Sequence, residues 1–294
     1  MMTMPLFLRR SIYIVAGVLF FVMAFASFVG PAAANHSFLD TSPAPMPFEP
    51  AEQLVYEGEF SKLLLRGIKI AELTFTVGRV PSAGDNASLP SAKDHPPPLF
   101  FIGHIESKGW FRKLFGINFR YLVESIVEPG SLTILRTKKL DEQGSRLRTS
   151  EAVFDRDRKQ VEWTERDPND ATRPPRVVTS PLGDAAHDII SAIYFLRAQT
   201  LTPGKTFDLA VSDSGAVYHV PAKIFAEPKK MKSILGRVAV VRVDVEMFGK
   251  ERLVDGDGKM SLWFTDDARH IPVRARLNNN LGTLDITLRK VQRG

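Results

Sequence analysis

The chain has 294 residues, 44% hydrophobic and 24% charged, with 20 Gly, 20 Pro and no Cys. Those fractions are ordinary for a folded protein and exclude collagen, a coiled coil and wholesale disorder. The lack of Cys excludes a disulfide scaffold, a thiolate metal site, a cysteine nucleophile and a lipidated N-terminal Cys, and a formal charge of +6 is too small to argue for nucleic acid.

Residues 1–34 contain no acid. Arg9 and Arg10 precede an apolar run from Ser11 to Gly30, and Pro31-Ala32-Ala33-Ala34 follows. A basic start, an apolar middle and small residues at the end predict a secretory signal peptide, cleaved between Ala34 and Asn35. The alternative is an uncleaved inner-membrane anchor across residues 11–30, because a span needs roughly 17–25 residues. Either way the body is expected outside the cytoplasm, in a bacterial periplasm. Losing Arg9 and Arg10 leaves a charge of +4, which suits an anionic envelope surface. Residues 35–50, with Pro at alternating positions, predict an extended tether, since Pro fits neither a helix interior nor a central strand.

From Gln53 the apolar period is two, the signature of strands. Leu54, Tyr56 and Phe60 share one phase. Ile68 and Ile70 lie in one phase and Leu73, Phe75 and Val77 in the other, which predicts a β-bulge near Ala71. Residues 81–98 predict a disordered Pro-rich loop. Strands are expected at 99–106, 119–128, 132–140, 146–154 and 161–165, then a polar loop at 166–175. Further strands are expected at 207–211, 216–225, 237–247, 259–264, 271–277 and 284–290. Val241, Val243 and Val245 alternate with Arg242, Asp244 and Glu246, so the sheet is antiparallel with one wet face. Residues 184–198 alone carry a helical period, with Ala186, Ile189, Ile190, Ile193 and Leu196 on one face and Asp184 as N-cap. The expected fold is all-β: one domain over 51–294, a strongly curved antiparallel sheet or half-barrel with one amphipathic helix packed against it.

Several segments in this order resemble a known family. They are Tyr56-Glu57-Gly58, Gly67-Ile68, Gly109-Trp110-Phe111 and Tyr121-Leu122-Val123-Glu124-Ser125, then the helical run Asp188 to Arg197. Leu262-Trp263-Phe264-Thr265-Asp266-Asp267, Ile271-Pro272-Val273-Arg274 and Gly282-Thr283-Leu284 complete them. Over residues 53–291 the chain resembles the bacterial domain-of-unknown-function family 3108, a group of exported envelope proteins. The loop at 81–98 is longer than that family's pattern. The resemblance implies an exported β-rich domain with one helix and implies no activity. At fold level it suggests a likeness to the curved half-barrels of lipoprotein carriers.

Candidate chemistry is sparse. His187 and Asp188 are adjacent, so in a helix they point about 100° apart and cannot clasp one atom; Asp188 suits the positive end of the helix dipole and Arg197 the negative end. Asp255-Gly256-Asp257-Gly258 opens like a calcium loop, but Lys259 and Met260 stand where an EF-hand needs an oxygen ligand and Gly. His104, His219 and His270 show no ligand spacing. Asp266 and Asp267 are the best catalytic candidates, with Glu124 third, though the pair also suits an ordinary polar turn. No nucleophile elbow, Walker loop or dinucleotide fingerprint is present, and no metal or cofactor is expected. Trp110, Phe111, Arg112, Lys113, Leu114 and Phe115 set apolar residues around two cations. That composition suits a cavity lip, a membrane contact or a core plug. Lys229, Lys230 and Lys232 form a basic hairpin tip, solvated or against an anionic surface.

The leading expectation is a non-enzymatic envelope protein holding an apolar or lipid-like ligand, or a partner, in its concave face. One alternative is a periplasmic hydrolase or metal-dependent enzyme using Asp266 and Asp267. The other is an assembly module binding a protein along a sheet edge. A deep apolar cavity favours the first, converging carboxylates the second and an uncovered edge strand the third.

Overall fold

The computed structural model describes residues 46–63, 65–79, 97–109, 116, 118–183 and 185–293. The signal segment with Ala34 and Asn35, most of the tether, the loop from 80 to 96 and the whole of Trp110–Phe115 lie outside the described residues.

The elements in chain order are β1 (Gln53–Lys62), β2 (Leu65–Arg79), β3 (Leu99–Ser107), β4 (Phe119–Val127), β5 (Ile134–Gln143), β6 (Arg146–Asp155), β7 (Gln160–Arg166) and β8 (Arg176–Pro181). Helix α1 (Ile189–Arg197) follows. After it come β9 (Thr206–Asp213), β10 (Ala216–Ala226), β11 (Met231–Ser233), β12 (Gly236–Val238), β13 (Val240–Val245), β14 (Gly258–Thr265), β15 (Pro272–Asn279) and β16 (Gly282–Gln292). Fourteen strands make one antiparallel sheet, ordered β8-β7-β6-β5-β4-β3-β2-β1-β16-β15-β14-β13-β10-β9, and β11 pairs with β12 alone. Two meanders are thus joined where β1 meets β16. The sheet is large and strongly curved, and among the described residues no strand ladder closes it.

Alternation sets which side is inside. On β3, Leu99, Phe101 and Ile105 are buried while Ile102 and His104 are half-buried on the other face. Bulges then bend the strands. The β1–β2 register slips between Gly58 and Glu59, leaving Ile70 without an opposite residue, so Ile70 and Ala71 are both buried. This is the bulge that the phase change near Ala71 predicts. A second slip, at Ile126/Val127, leaves Leu135 extra on β5.

The chain leaves the β8 edge, crosses the concave side as α1 and returns as β9, the opposite edge. α1 starts later than the sequence predicts. Its N-cap is Asp188, and Asp184 lies outside the described residues. The reason is that residues 186–187 form an extended strap. Ile134 N–H donates to Ala186 O (3.0 Å), His187 N–H to Ala210 O (2.8 Å) and Ser212 N–H to His187 O (2.7 Å). With its backbone groups satisfied by strands, the strap has no need of helix. The expected single apolar face also needs correction. Because α1 lies inside the curve, Ile190, Ala192, Tyr194, Leu196 and Arg197 are all buried, whereas Ile189 and Ile193 are only half-buried. Ile190 sits where a Cβ on Gly103 would stand, 2.3 Å from its Cδ1, so β3 offers glycine where the helix comes closest.

β8 is a strand the periodicity does not predict. With β7 it overlaps the β9–β10 turn, at the seam where the two ends of the sheet meet. Gly215, at φ +84°, lies so close that an added Cβ would stand 2.9 Å from both Trp163 Cβ and Val178 Cβ. Gly215→Ala is expected to cost about 1–3 kcal/mol, from the left-handed backbone and the clash. Urea denaturation measures it; a loss under about 0.5 kcal/mol would mean that the seam is loose.

Candidate functional site

Three buried polar constellations lie on the concave side, and α1 organises two of them. At its N-terminus the Asp188 carboxylate accepts Ser191 N–H through Oδ1 (2.7 Å), and Asp188 N–H donates to Ser191 Oγ (2.8 Å). This reciprocal pair is a capping box with Ser in place of the usual Glu. Oδ2 accepts the Ser125 hydroxyl of β4 in a short bond and the Thr137 hydroxyl of β5 (3.5 Å). Asp188 is therefore the N-cap itself, and it also ties the helix to two strands. The neighbouring His187 turns elsewhere. Its Nδ1 lies 3.0 Å from Leu132 O, and its ring packs on Phe195. A carbonyl only accepts, so Nδ1 carries the proton. Burial lowers the imidazole pKa to about 4, against the weaker pull of Leu132 O and Asp188. It stands neutral at pH 7.

At the other end of α1, Arg197 does more than complement the dipole. It is 1% exposed and clasps Glu52 with Nη1–Oε1 at 2.5 Å and Nη2–Oε2 at 3.1 Å. Its guanidinium carbon lies 5.0 Å from the centre of the Tyr194 ring and 5.3 Å from that of Phe48. Phe101 stacks on Tyr194 at 4.3 Å. Segment 46–52 and α1 thus fill one end of the curve with an ion pair wrapped in aromatic rings.

The third constellation spans the seam. Lys139 of β5 reaches Asp213 at the end of β9, with Nζ–Oδ1 at 2.5 Å and side chains 13% and 5% exposed. Burial opposes the Lys139 charge, but Asp213 outweighs it, and the net effect raises the ammonium pKa. Burial likewise pushes the nearby Tyr121 phenol up.

The predicted candidates are scattered. Asp267 is used within its own turn, where Oδ1 accepts the Thr265 hydroxyl (2.8 Å) and Arg269 N–H (3.0 Å); Asp266 is exposed. Glu124 lies exposed on the convex face, lining an open depression of about 210 Å³ with Lys138, Glu151 and Arg166. His219 Nδ1 meets Asp208 (3.0 Å), His270 Nδ1 meets Arg197 O (2.9 Å), and His104 is on the outer face of β3. Among the described residues no three His, Asp or Glu side chains converge as a metal site would require. Asp255 accepts Gly256 N–H (2.9 Å) in the loop before β14. The partners that matter most, Glu52, Ser125, Thr137, Lys139 and Asp213, are not among the predicted residues. Only Ser191, three residues after Asp188, signals its role in the sequence.

The fold has a solved counterpart. A crystal structure of a beta-barrel-like protein of domain of unknown function DUF1849 from Brucella abortus superposes with a TM-score of 0.53 and 7% identity. The match covers 84% of this chain and 99% of that one, a likeness of fold alone. A search of curated proteins gives no match. The sequence profile of the proteins of unknown function DUF3108 matches residues 67–289, from within β2 to the last strand, and the chain belongs to that family.

Proposed function

We propose that this chain is a non-enzymatic, exported module of the bacterial cell envelope whose work is to bind a protein partner along the outer edge of β8. The edge itself carries the reading. β8 pairs with β7 on one side; Val178 packs on the β9–β10 turn at Gly215, but no described strand hydrogen-bonds to the outer edge of β8. Val177 there is 56% exposed. The opposite edge, β9, is covered by the strap at His187. A partner segment of about six residues would complete the β8 ladder, taking affinity from the backbone and specificity from alternate side chains. Pro175 precedes the strand and Pro181 is its last residue, and both limit edge-to-edge stacking.

The other readings have less support. The concave face at the α1 end is occupied by Tyr194, Phe48 and the Glu52–Arg197 pair, so an apolar ligand there would have to displace a helix held at both ends. A hydrolase built on Asp266 and Asp267 has less support because Asp267 is already committed to its turn, and the ring of the neighbouring His270 is engaged by Arg197 O (2.9 Å).

A photo-reactive residue at Val177 is expected to trap one discrete protein in the native envelope. Leu63, 81% exposed on the turn after β1, is the control position. Equal trapping at both positions would overturn the edge reading.

A further inference from the structure

Between β10 and β13 the chain leaves the main sheet as a small hairpin with an unusual tip. Met231 and Val238 face each other in register and pack on the core, and Asp266 N–H holds Ala239 O at 2.9 Å, so the root is fixed. The tip is Ser233-Ile234-Leu235-Gly236. Leu235 N–H donates to Ser233 Oγ (3.0 Å), and Gly236 at φ +94° closes the turn. Turn apices normally carry Asn, Asp or Gly. Here they carry Ile234 and Leu235, 47% and 38% exposed, two of the few large apolar side chains that the described residues leave in water. Around them Lys229, Lys230, Lys232 and Arg237 are all exposed, and none pairs with a described carboxylate. The one acid of this stretch, Glu227, is engaged by Trp263 Nε1 (3.4 Å) and Arg242 (3.9 Å).

We propose that the β11–β12 hairpin docks the protein on an anionic phospholipid surface, with Ile234 and Leu235 entering the headgroup layer and Lys229, Lys230, Lys232 and Arg237 meeting the phosphates. An apolar apex within a ring of unpaired cations complements such a surface in both hydrophobicity and charge. It complements an acidic protein in charge only. The hairpin is separate from the β8 edge, so this inference stands independently of the partner proposed there.

The test uses the chain from Asn35, which keeps every described strand, and vesicles of phosphatidylcholine with or without phosphatidylglycerol. Binding is expected only with phosphatidylglycerol. A basic side chain near an anionic surface is worth about fivefold in affinity, so replacing Lys229, Lys230 and Lys232 together by Ser should weaken binding on the order of 100-fold at low salt and much less at high salt. Ile234→Ser with Leu235→Ser should weaken it about tenfold at any salt. Neither variant should shift the melting temperature, because the replaced side chains are exposed. The proposal fails if both vesicles bind alike, if wild type binds neither, or if the Ile234/Leu235 variant binds as wild type does. It also fails if heparin, a polyanion without a bilayer, is bound as tightly as the anionic vesicles.

Discussion

Replacing Arg197 by Leu is expected to destabilise the protein by about 3–5 kcal/mol, the usual loss when one member of a buried ion pair is removed. Glu52 would be left 2% exposed without its bidentate partner. What remains near it is the Arg269 guanidinium at 3.7 Å, itself half in solvent. A chain of this size shifts its melting temperature by about 2–4 °C per kcal/mol, so a drop on the order of 10 °C should appear in a thermal scan. The double variant Glu52→Leu, Arg197→Met separates the pair's net worth from the cost of orphaning one charge. It should recover most of the loss, because apolar groups of similar volume satisfy such a site as well as ions do. A single variant within about 1 kcal/mol of wild type would mean that water reaches Glu52, and that segment 46–52 is not sealed onto α1 as described. The structural consequence is specific. Arg197 holds the chain's entry into the sheet against the end of the helix, so the variant should expose residues 46–52 to proteolysis before the sheet unfolds.

The sheet was legible in the sequence because period two survives wherever one face is wet, as in Val241, Val243 and Val245. The bulge at Ile70 was legible for the same reason, since an extra residue shifts a phase that both flanks still display. β8 was not. Arg176–Pro181 has two adjacent valines, no apolar alternation, prolines before it and a proline as its last residue, and it becomes a strand because β7 presents it with a ladder. The polar interior was hidden by the bulge at Leu135, which reverses the phase of β5, so Lys139 reads as facing solvent when it faces Asp213. Glu52 and Arg197 stand 145 positions apart in sequence, and no local pattern announces a contact of that range. The helix start turned on Asp184 versus Asp188, each an acid before apolar residues. Ser191 at the third helical position decides it, because only there can backbone and side chain cap one another.

Acidification between pH 6.5 and pH 4 should weaken the fold through His187. In the unfolded chain the imidazole takes a proton near its ordinary pKa of 6.5; in the folded chain it takes one only near 4. The folded pKa is the lower one, so between those values the unfolded state binds more protons and stability rises with pH. The contribution is complete above pH 6.5 and falls as pH drops through the window, by about 3 kcal/mol in all, at roughly 1.4 kcal/mol for each unit of separation. Glu57 obeys the same rule at lower pH. Lys108, Lys69 and Arg289 outweigh the opposing effect of burial and hold its carboxyl at about 2, below the ordinary 4.5, so what it contributes is lost only below pH 4.5. The two windows meet but scarcely overlap, and His187→Gln separates them. Gln keeps an N–H donor for Leu132 O and has no proton to gain. Its urea midpoint should stay nearly level from pH 6.5 to 5 while that of wild type falls, and both should fall below pH 4.5. A level wild-type profile above pH 5 would show that His187 is charged or hydrated in the fold. The location makes the effect more than a global loss, because the His187 backbone is bonded to Ala210 and Ser212 of β9. Protonating the ring strains the strap that covers this edge, so the Ser212 amide, which donates to His187 O, should gain hydrogen exchange at pH 5 before the amides of β3 and β4.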